Sequence, residues 1–169
     1  MCLITNEKHY NVAEEPITCY KTTSIILQKP SPEHALVQYF RSSFYGFEYK
    51  LGVLYSLKET EYFVLNNPIE GGTLYLNVGF HSFATLAQAK NDCLEYDKDY
   101  IKHFLSNWYL PNPYTEVILK CEIPVGAKYW VGNKEDVDKN IMEYCSNQIK
   151  VVGWKFKGEK NWRKTVVKL

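Results

Sequence analysis

The sequence predicts an α+β domain, a mostly antiparallel or split β-sheet carrying two main helices, in one unit over residues 1–169. Three observations lead there. Segments rich in β-branched and aromatic residues recur along the chain, and two other stretches place apolar residues at three- and four-residue spacing. The two kinds do not follow the regular strand, helix, strand alternation that builds a parallel sheet. At 169 residues without repeat, low-complexity tract or Pro/Gly/Ser linker, the elements are expected to share one core.

Taken in order, Pro16 to Thr23 (Pro-Ile-Thr-Cys-Tyr-Lys-Thr-Thr) reads as a first strand. Ser31-Pro32-Glu33 reads as a helix start with proline at the first helical position, followed by apolar Leu36, Val37 and Phe40. Tyr45 to Tyr55 alternates aromatic and other residues around two glycines, and Glu61 to Leu65 is expected to pair nearby. Asn66-Asn67-Pro68 and Gly71-Gly72 read as turns. Thr73 to Phe83 is strand-like and hands over at Ala84-Thr85 to a helix expected to reach Trp108. Its stripe of Leu86, Ala89, Cys93, Ile101, Phe104 and Leu105 faces the core, and Pro111 and Pro113 lie beyond its end. Glu116 to Ile123 is a strand, Pro124-Val125-Gly126 a turn, Ala127 to Val131 a short aromatic strand, and Gln148 to Phe156 a last strand with Gly153 at a bulge.

Composition excludes several classes. With 46% apolar and 23% charged residues the chain lacks the signature of disorder. Its apolar runs, such as Ile25-Ile26-Leu27, are far shorter than the ~20 residues that span a bilayer. The opening Met1 to Lys8 has neither the basic nor the apolar region of a secretory signal, so a cytoplasmic protein is expected. Cys2, Cys19, Cys93, Cys121 and Cys145 are odd in number and irregularly spaced, which fits neither a disulfide framework nor a zinc site; they read as small buried hydrophobes. Aromatic residues reach 15%, with 14 Tyr, 8 Phe and 4 Trp, and suit a core, an interface or a ring-binding pocket.

Charge is uneven. Lys150 to Leu169 holds seven basic residues against Glu159, leaving 13 basic against 18 acidic residues elsewhere. Interleaved with Trp154, Phe156 and Trp162, this stretch has the makings of a nucleic-acid surface, although such a run is more often a solvated strand face.

No phosphate loop, metalloprotease motif, nucleophile elbow or EF-hand loop is present, and His9, His34, His81 and His103 are never at paired ligand spacing. His81 stands out because Gly79-Phe80-His81-Ser82-Phe83 ends a strand just before a helix, where polar side chains and helix amides can face a ligand. The alternative is a half-buried histidine bonded to backbone. Cys2, exposed as an N-terminal nucleophile if Met1 is trimmed, is a second candidate, but Leu3-Ile4-Thr5 lacks the glycine that usually follows such a cysteine.

Several motifs together resemble a group of uncharacterised small proteins of gut Bacteroidetes, their phages and large DNA viruses. They are Met1-Cys2-Leu3-Ile4-Thr5, Cys19-Tyr20-Lys21, Tyr49 with Gly52 and Tyr55, Gly79 to Phe83, Lys120 to Pro124 with Gly126 and Tyr129, and Cys145-Ser146 with Ile149. That resemblance brings no function with it; for a phage-encoded chain the cytoplasm would be that of the host. The order of parts is also similar to the ADP-ribosyltransferase fold, with Tyr20-Lys21, Gly79 to Phe83, Ala87 to Tyr96 and Glu143 to Ile149 in the family's places. This second resemblance implies NAD as cofactor, with Glu143 stabilising the oxocarbenium-like sugar and His81 in the cleft. The first strand offers Cys-Tyr-Lys in place of the family's Arg-Gly or His-Gly, and the glycine that clamps nicotinamide is absent.

The favoured expectation is a non-enzymatic accessory protein of phage or mobile-element type, without cofactor or metal, binding a protein partner or a small aromatic ligand such as a nucleotide. Tyr20, Lys21, His81 and Ser82 are its candidate ligand-binding residues, and Glu143 is then a surface acid before the last strand. The rivals are an NAD-using ADP-ribosyltransferase with Glu143 and His81 catalytic, and a structural virion component.

Overall fold

Strand-forming sequence dominates the described residues. The computed structural model describes residues 3–5, 9–31, 34–42, 47–58, 65–69, 73–76, 79–93, 115–134 and 141–164. Among these, thirteen strands join into one open sheet in which every ladder is antiparallel: β1 (Leu3–Thr5), β2 (Asn11–Val12), β3 (Ile17–Ser31), β4 (His34–Arg41), β5 (Glu48–Tyr49), β6 (Leu54–Ser56), β7 (Leu65–Ile69), β8 (Thr73–Leu76), β9 (Phe80–Phe83), β10 (Thr115–Ile123), β11 (Lys128–Lys134), β12 (Met142–Ser146) and β13 (Gln148–Lys155). Their order is β6-β13-β10-β3-β9-β12-β11-β1-β8-β7, with β4 branching from β3, β5 from β4 and β2 from β11. One helix, α1 (Leu86–Asp92), accompanies them among the described residues.

The strand expected first, over 16–23, runs on to Ser31 and follows β1 and β2, whereas the turn at Pro124 to Gly126 and the strands over 116–123, 127–131 and 148–156 lie close to where the sequence puts them. At the last, the β10–β13 register shifts between Lys120 and Cys121, so that Val152 lies between the paired Gly153 and Val151. That is a bulge beside the expected glycine.

Two expectations fail. The helix over 31–40 does not form: Ser31 pairs with His34 and Ile25 with Phe40, so this stretch is the return arm of a β-hairpin. Leu36, Val37 and Phe40 fit a helical face, but in a short apolar run that spacing fits a strand as well, and the β-branched and aromatic content decides for the strand. Asn66-Asn67-Pro68 is not a turn but part of β7, at an end of the sheet, and the register shifts between Asn66 and Ile69. A proline without an N–H is accommodated at such an irregular edge.

The helix after β9 starts as expected and is shorter. Thr85 caps it reciprocally with Gln88: the Gln88 N–H donates to Thr85 Oγ1 (3.3 Å) and the Thr85 N–H to Gln88 Oε1 (3.1 Å). Cys93 is already extended (φ −74°, ψ 128°), so a continuous helix to Trp108 is ruled out. Thr22 donates to Asp92 (2.7 Å), and Lys157 donates to the Cys93 carbonyl (2.7 Å), where a helix end favours a cation. Ile101, Phe104 and Leu105 lie outside the described residues; Ala89 and Cys93 are buried as the stripe requires.

Each face of the sheet carries a core. On the helix side, Phe83, Ala89, Cys93 and Ile118 pack with Tyr20, Leu86, Ile141 and Trp162, while Leu3, Leu76, Trp130 and Cys145 form a neighbouring cluster. The opposite face holds the larger core, including Cys19, Leu119, Cys121, Ile149, Val151, Trp154 and Phe156. The basic C-terminal stretch is woven into both: Trp154 and Phe156 are buried, Lys155 lies over the Trp162 ring (4.6 Å), and Arg163 pairs with Glu159 (2.6 Å).

Gly132 lets β1 dock. A Cβ at this position would overlap the Ile4 carbonyl and meet the Leu3 side chain at 2.9 Å. Gly132→Ala should therefore cost ~1–3 kcal/mol, the range for overpacking a filled site, and speed amide exchange at Leu3 to Thr5. Unchanged stability in a urea titration would show that β1 is not held against this glycine.

Candidate functional site

Strand alternation decides which candidate side chains can meet, because neighbours along a strand point to opposite faces while cross-strand partners share one. Tyr20 pairs with Phe83, Phe83 with Glu143 and Glu143 with Gly132, so Tyr20 and Glu143 share the helix-side face with Phe83 between them. Two strand spacings separate them, about 10 Å. His81, paired with Cys145, lies on this face too. Lys21 and Ser82 necessarily point the other way. The expected ligand set of Tyr20, Lys21, His81 and Ser82 is thus divided by the sheet.

On the helix side the arrangement is closed. The Tyr20 ring stacks on Trp162 (5.9 Å, 26°), and Phe83, 3% exposed, fills the space toward Glu143 beneath α1. Glu143 has 0% exposure, which corrects its reading as a surface acid: its alternation in β12 turns it inward with Cys145. His81 is buried, and its Nε2 lies 3.7 Å from Cys145 Sγ instead of bonding to backbone. Its Nδ1 has no hydrogen-bond partner among the described residues. Burial, and then the charge of Lys21, lower the imidazole pKa to about 3, while burial pushes the Cys145 thiol up to about 12. Both groups are therefore neutral near pH 7, and the thiol is not activated for nucleophilic attack. Cys19, Cys93 and Cys121 are likewise buried free thiols, as their spacing suggests.

The opposite face assembles something else. Lys21, on β3, donates to the carbonyl oxygen of His81 and places Nζ 5.6 Å from the Tyr49 ring centroid. Burial lowers its pKa from the ordinary 10.5, while the nearby thiols and Glu143 act in the opposite sense. Around Tyr49 stand Phe47 (4.9 Å between centroids), Tyr55 (5.4 Å) and Phe80 (6.4 Å), all in tilted or edge-on contact. The Tyr55 hydroxyl accepts from the Lys50 N–H (2.6 Å), which fixes its ring. Phe47 is 37% exposed and forms the outer member of this nest. Ser82, 3% exposed, lies next to Cys19.

Lys21 belonged to the expected set; Phe47, Tyr49, Tyr55 and Phe80 did not. The two-residue spacing of Phe47 and Tyr49 was the available signal, since it puts both rings on one side of an extended chain. Nothing local announces Phe80, which the β3–β9 pairing brings in. Among the described residues no group of three or more His, Cys, Asp or Glu is placed to hold a metal ion, and no helix is long and apolar enough to cross a membrane. Comparison with family models, curated proteins and solved structures yields no match.

Proposed function

We propose that this chain is a non-catalytic binding module whose ligand is a small aromatic molecule taken up against the Phe47, Tyr49, Tyr55 and Phe80 rings beside Lys21. The observation that carries the reading is the meeting of a buried amine with a partly exposed aromatic nest. Rings in tilted and edge-on contact offer further edges and faces to an incoming ring, and one polar group among apolar walls gives it an orientation. The closed helix side supports the non-catalytic part, because Phe83 and the Tyr20–Trp162 stack occupy the space where a nicotinamide and its ribose would have to sit.

A fluorescence titration with anilinonaphthalene sulfonate tests the reading. Saturable one-to-one binding is expected, weakened about tenfold by Phe47→Ala, the equivalent of 1.4 kcal/mol of ring contact. Phe47 is exposed enough for the variant to fold, and equal binding by both proteins would sink the proposal. With NAD as substrate, neither the native chain nor Glu143→Gln should release nicotinamide above the buffer rate. Release by the native chain that the substitution abolishes would overturn the non-catalytic reading in favour of the ADP-ribosyltransferase one.

A further inference from the structure

We propose that the helix-side face of the sheet, between α1 and the fold-back over residues 157–164, is a binding surface for single-stranded nucleic acid. Lys90, Lys120, Lys160 and Lys164 take its backbone phosphates, and a base packs against the Tyr20 and Trp162 rings. This surface lies on the other face of the sheet from the Phe47 nest and stands independently of it.

The basic run from Lys150 onward does not act as one block. Lys150 stands opposite Glu122 in the β10–β13 ladder, Lys155 and Lys157 donate to the carbonyls of Glu159 and Cys93, and Arg163 holds the Glu159 carboxylate at 2.6 Å. Lys160 and Lys164 are left exposed. The fold then adds two cations from distant parts of the chain. Lys120, two residues after Ile118 on β10, shares its helix-side face, with Tyr20 as its partner on β3 and Gly153 as its partner on β13. Lys90 comes from the last turn of α1; burial and then its charge lower the Lys155 pKa, so the two amines stand near each other.

Among the described residues no hydrogen bond or ion pair engages Lys90, Lys120, Lys160 or Lys164. With Lys150 set against Glu122 and Arg163 against Glu159, these four together with Lys155 and Lys157 face only Asp92, Glu116 and the fully buried Glu143. The surface therefore carries an excess of positive charge, the complement of a phosphate backbone.

Two rings lie in the middle of it. Trp162 packs over Gly153 and stacks on Tyr20 (5.9 Å, 26°), and both side chains stay partly exposed, whereas Trp130 and Trp154 are buried. Arg163 bridges to Trp154, and alternation about it sends Trp162 and Lys164 to the same side. Lysines free to track phosphates beside rings that can receive a base are the parts by which single strands are held. An acidic peptide would use the charges and leave the rings idle, and a duplex keeps its base faces stacked inside.

A fluorescein-labelled oligothymidylate of about twelve nucleotides, a length within the usual site sizes, is the probe, followed by anisotropy between about 50 and 200 mM salt. Binding should be saturable, and log K against log salt should fall with a slope of about −3, because each of four phosphates neutralised on a single strand contributes about 0.7. The double variant Lys160→Gln, Lys164→Gln changes two exposed side chains and should flatten that slope by about 1.4. Trp162→Leu keeps an apolar cover over Gly153; it should weaken binding about tenfold, within the range for one stacked base, and leave the slope as it was. Circular dichroism checks that it folds, and Tyr20→Leu carries the same test if it does not. The proposal is overturned by absence of binding at the lowest salt, by an unchanged slope in the lysine variant, or by native affinity in a folded ring variant. Displacement of the strand by polyglutamate or by a duplex of the same length, as readily as by unlabelled oligothymidylate, overturns it too.

Discussion

Trp154→Ala should destabilise the protein by ~3–5 kcal/mol, the usual cost of emptying a large aromatic site in a core. Trp154 has 0% exposure and meets Phe40 at 5.6 Å and Phe156 at 5.5 Å between ring centroids, with the Arg163 guanidinium 5.0 Å from its own. Its backbone also pairs with Arg163 in both directions, N–H to carbonyl, at 3.0 and 2.9 Å. The substitution therefore opens a hole in the larger core and loosens the segment that folds back over it. Urea unfolding followed by tryptophan fluorescence and circular dichroism measures the loss; a value under about 1 kcal/mol would mean that the ring is not enclosed.

Acid should weaken the fold before carboxylates begin to titrate. His81 is held neutral, with a folded pKa of about 3 against an ordinary 6.5. The unfolded chain thus takes up the proton first. Its contribution is level above pH 6.5 and declines as pH falls toward 3. At 1.36 kcal/mol per unit the whole decline amounts to roughly 5 kcal/mol, of which roughly 2 falls between pH 6.5 and 4.5. The groups around the imidazole are Lys21 on β3, whose charge lowers the pKa further, and the Cys145 thiol on β12, which is neutral throughout this range. Glu159 acts later. Burial alone would raise its pKa, but hydrogen bonds from Arg163 and the Phe156 N–H lower it below 4.5, so its contribution is present above that pH and is lost only below it. Stability measured at intervals from pH 7.5 to 4.5 should slope in the native protein and be flatter in His81→Gln. Parallel slopes would show that the imidazole is not protonated on unfolding.

Much of the sheet is legible in the sequence because β-branched runs punctuated by proline and glycine leave few options. Glu116 to Ile123 and the Pro124-Val125-Gly126 turn are of this kind. The return arm of the first hairpin is not, since Ser31-Pro32-Glu33 satisfies a helix start locally and only the ladder to β3 overrides it. Likewise the apolar stripe after Thr85 predicts the burial of Ala89 and Cys93, but the extended turn at Cys93 accompanies contacts from distant Thr22 and Lys157. At the site, Tyr20 and Lys21 are adjacent in sequence and were expected together. Period two sends them to opposite faces, a consequence already contained in the strand assignment. The aromatic nest depends on Phe80 arriving from another strand, and no local pattern encodes that pairing.

The central place of β3 has a consequence for how the chain reaches this state. Its hairpin with β4 is local and can close early, but the flank of β3 from Ile17 to Ile25 pairs with β10, which begins only at Thr115. Thr5 reaches still further, bonding to Val131 across 126 residues. Contacts of such separation make folding slow, in the millisecond-to-second range typical of non-local β topologies. Until residues 115–123 have been synthesised, β3 has no partner along that flank, and its backbone N–H and C=O groups from Ile17 to Ile25 are open to anything that can pair with them. The strand that later holds Lys21 in place is, during synthesis, a segment open to a chaperone or to a second nascent copy.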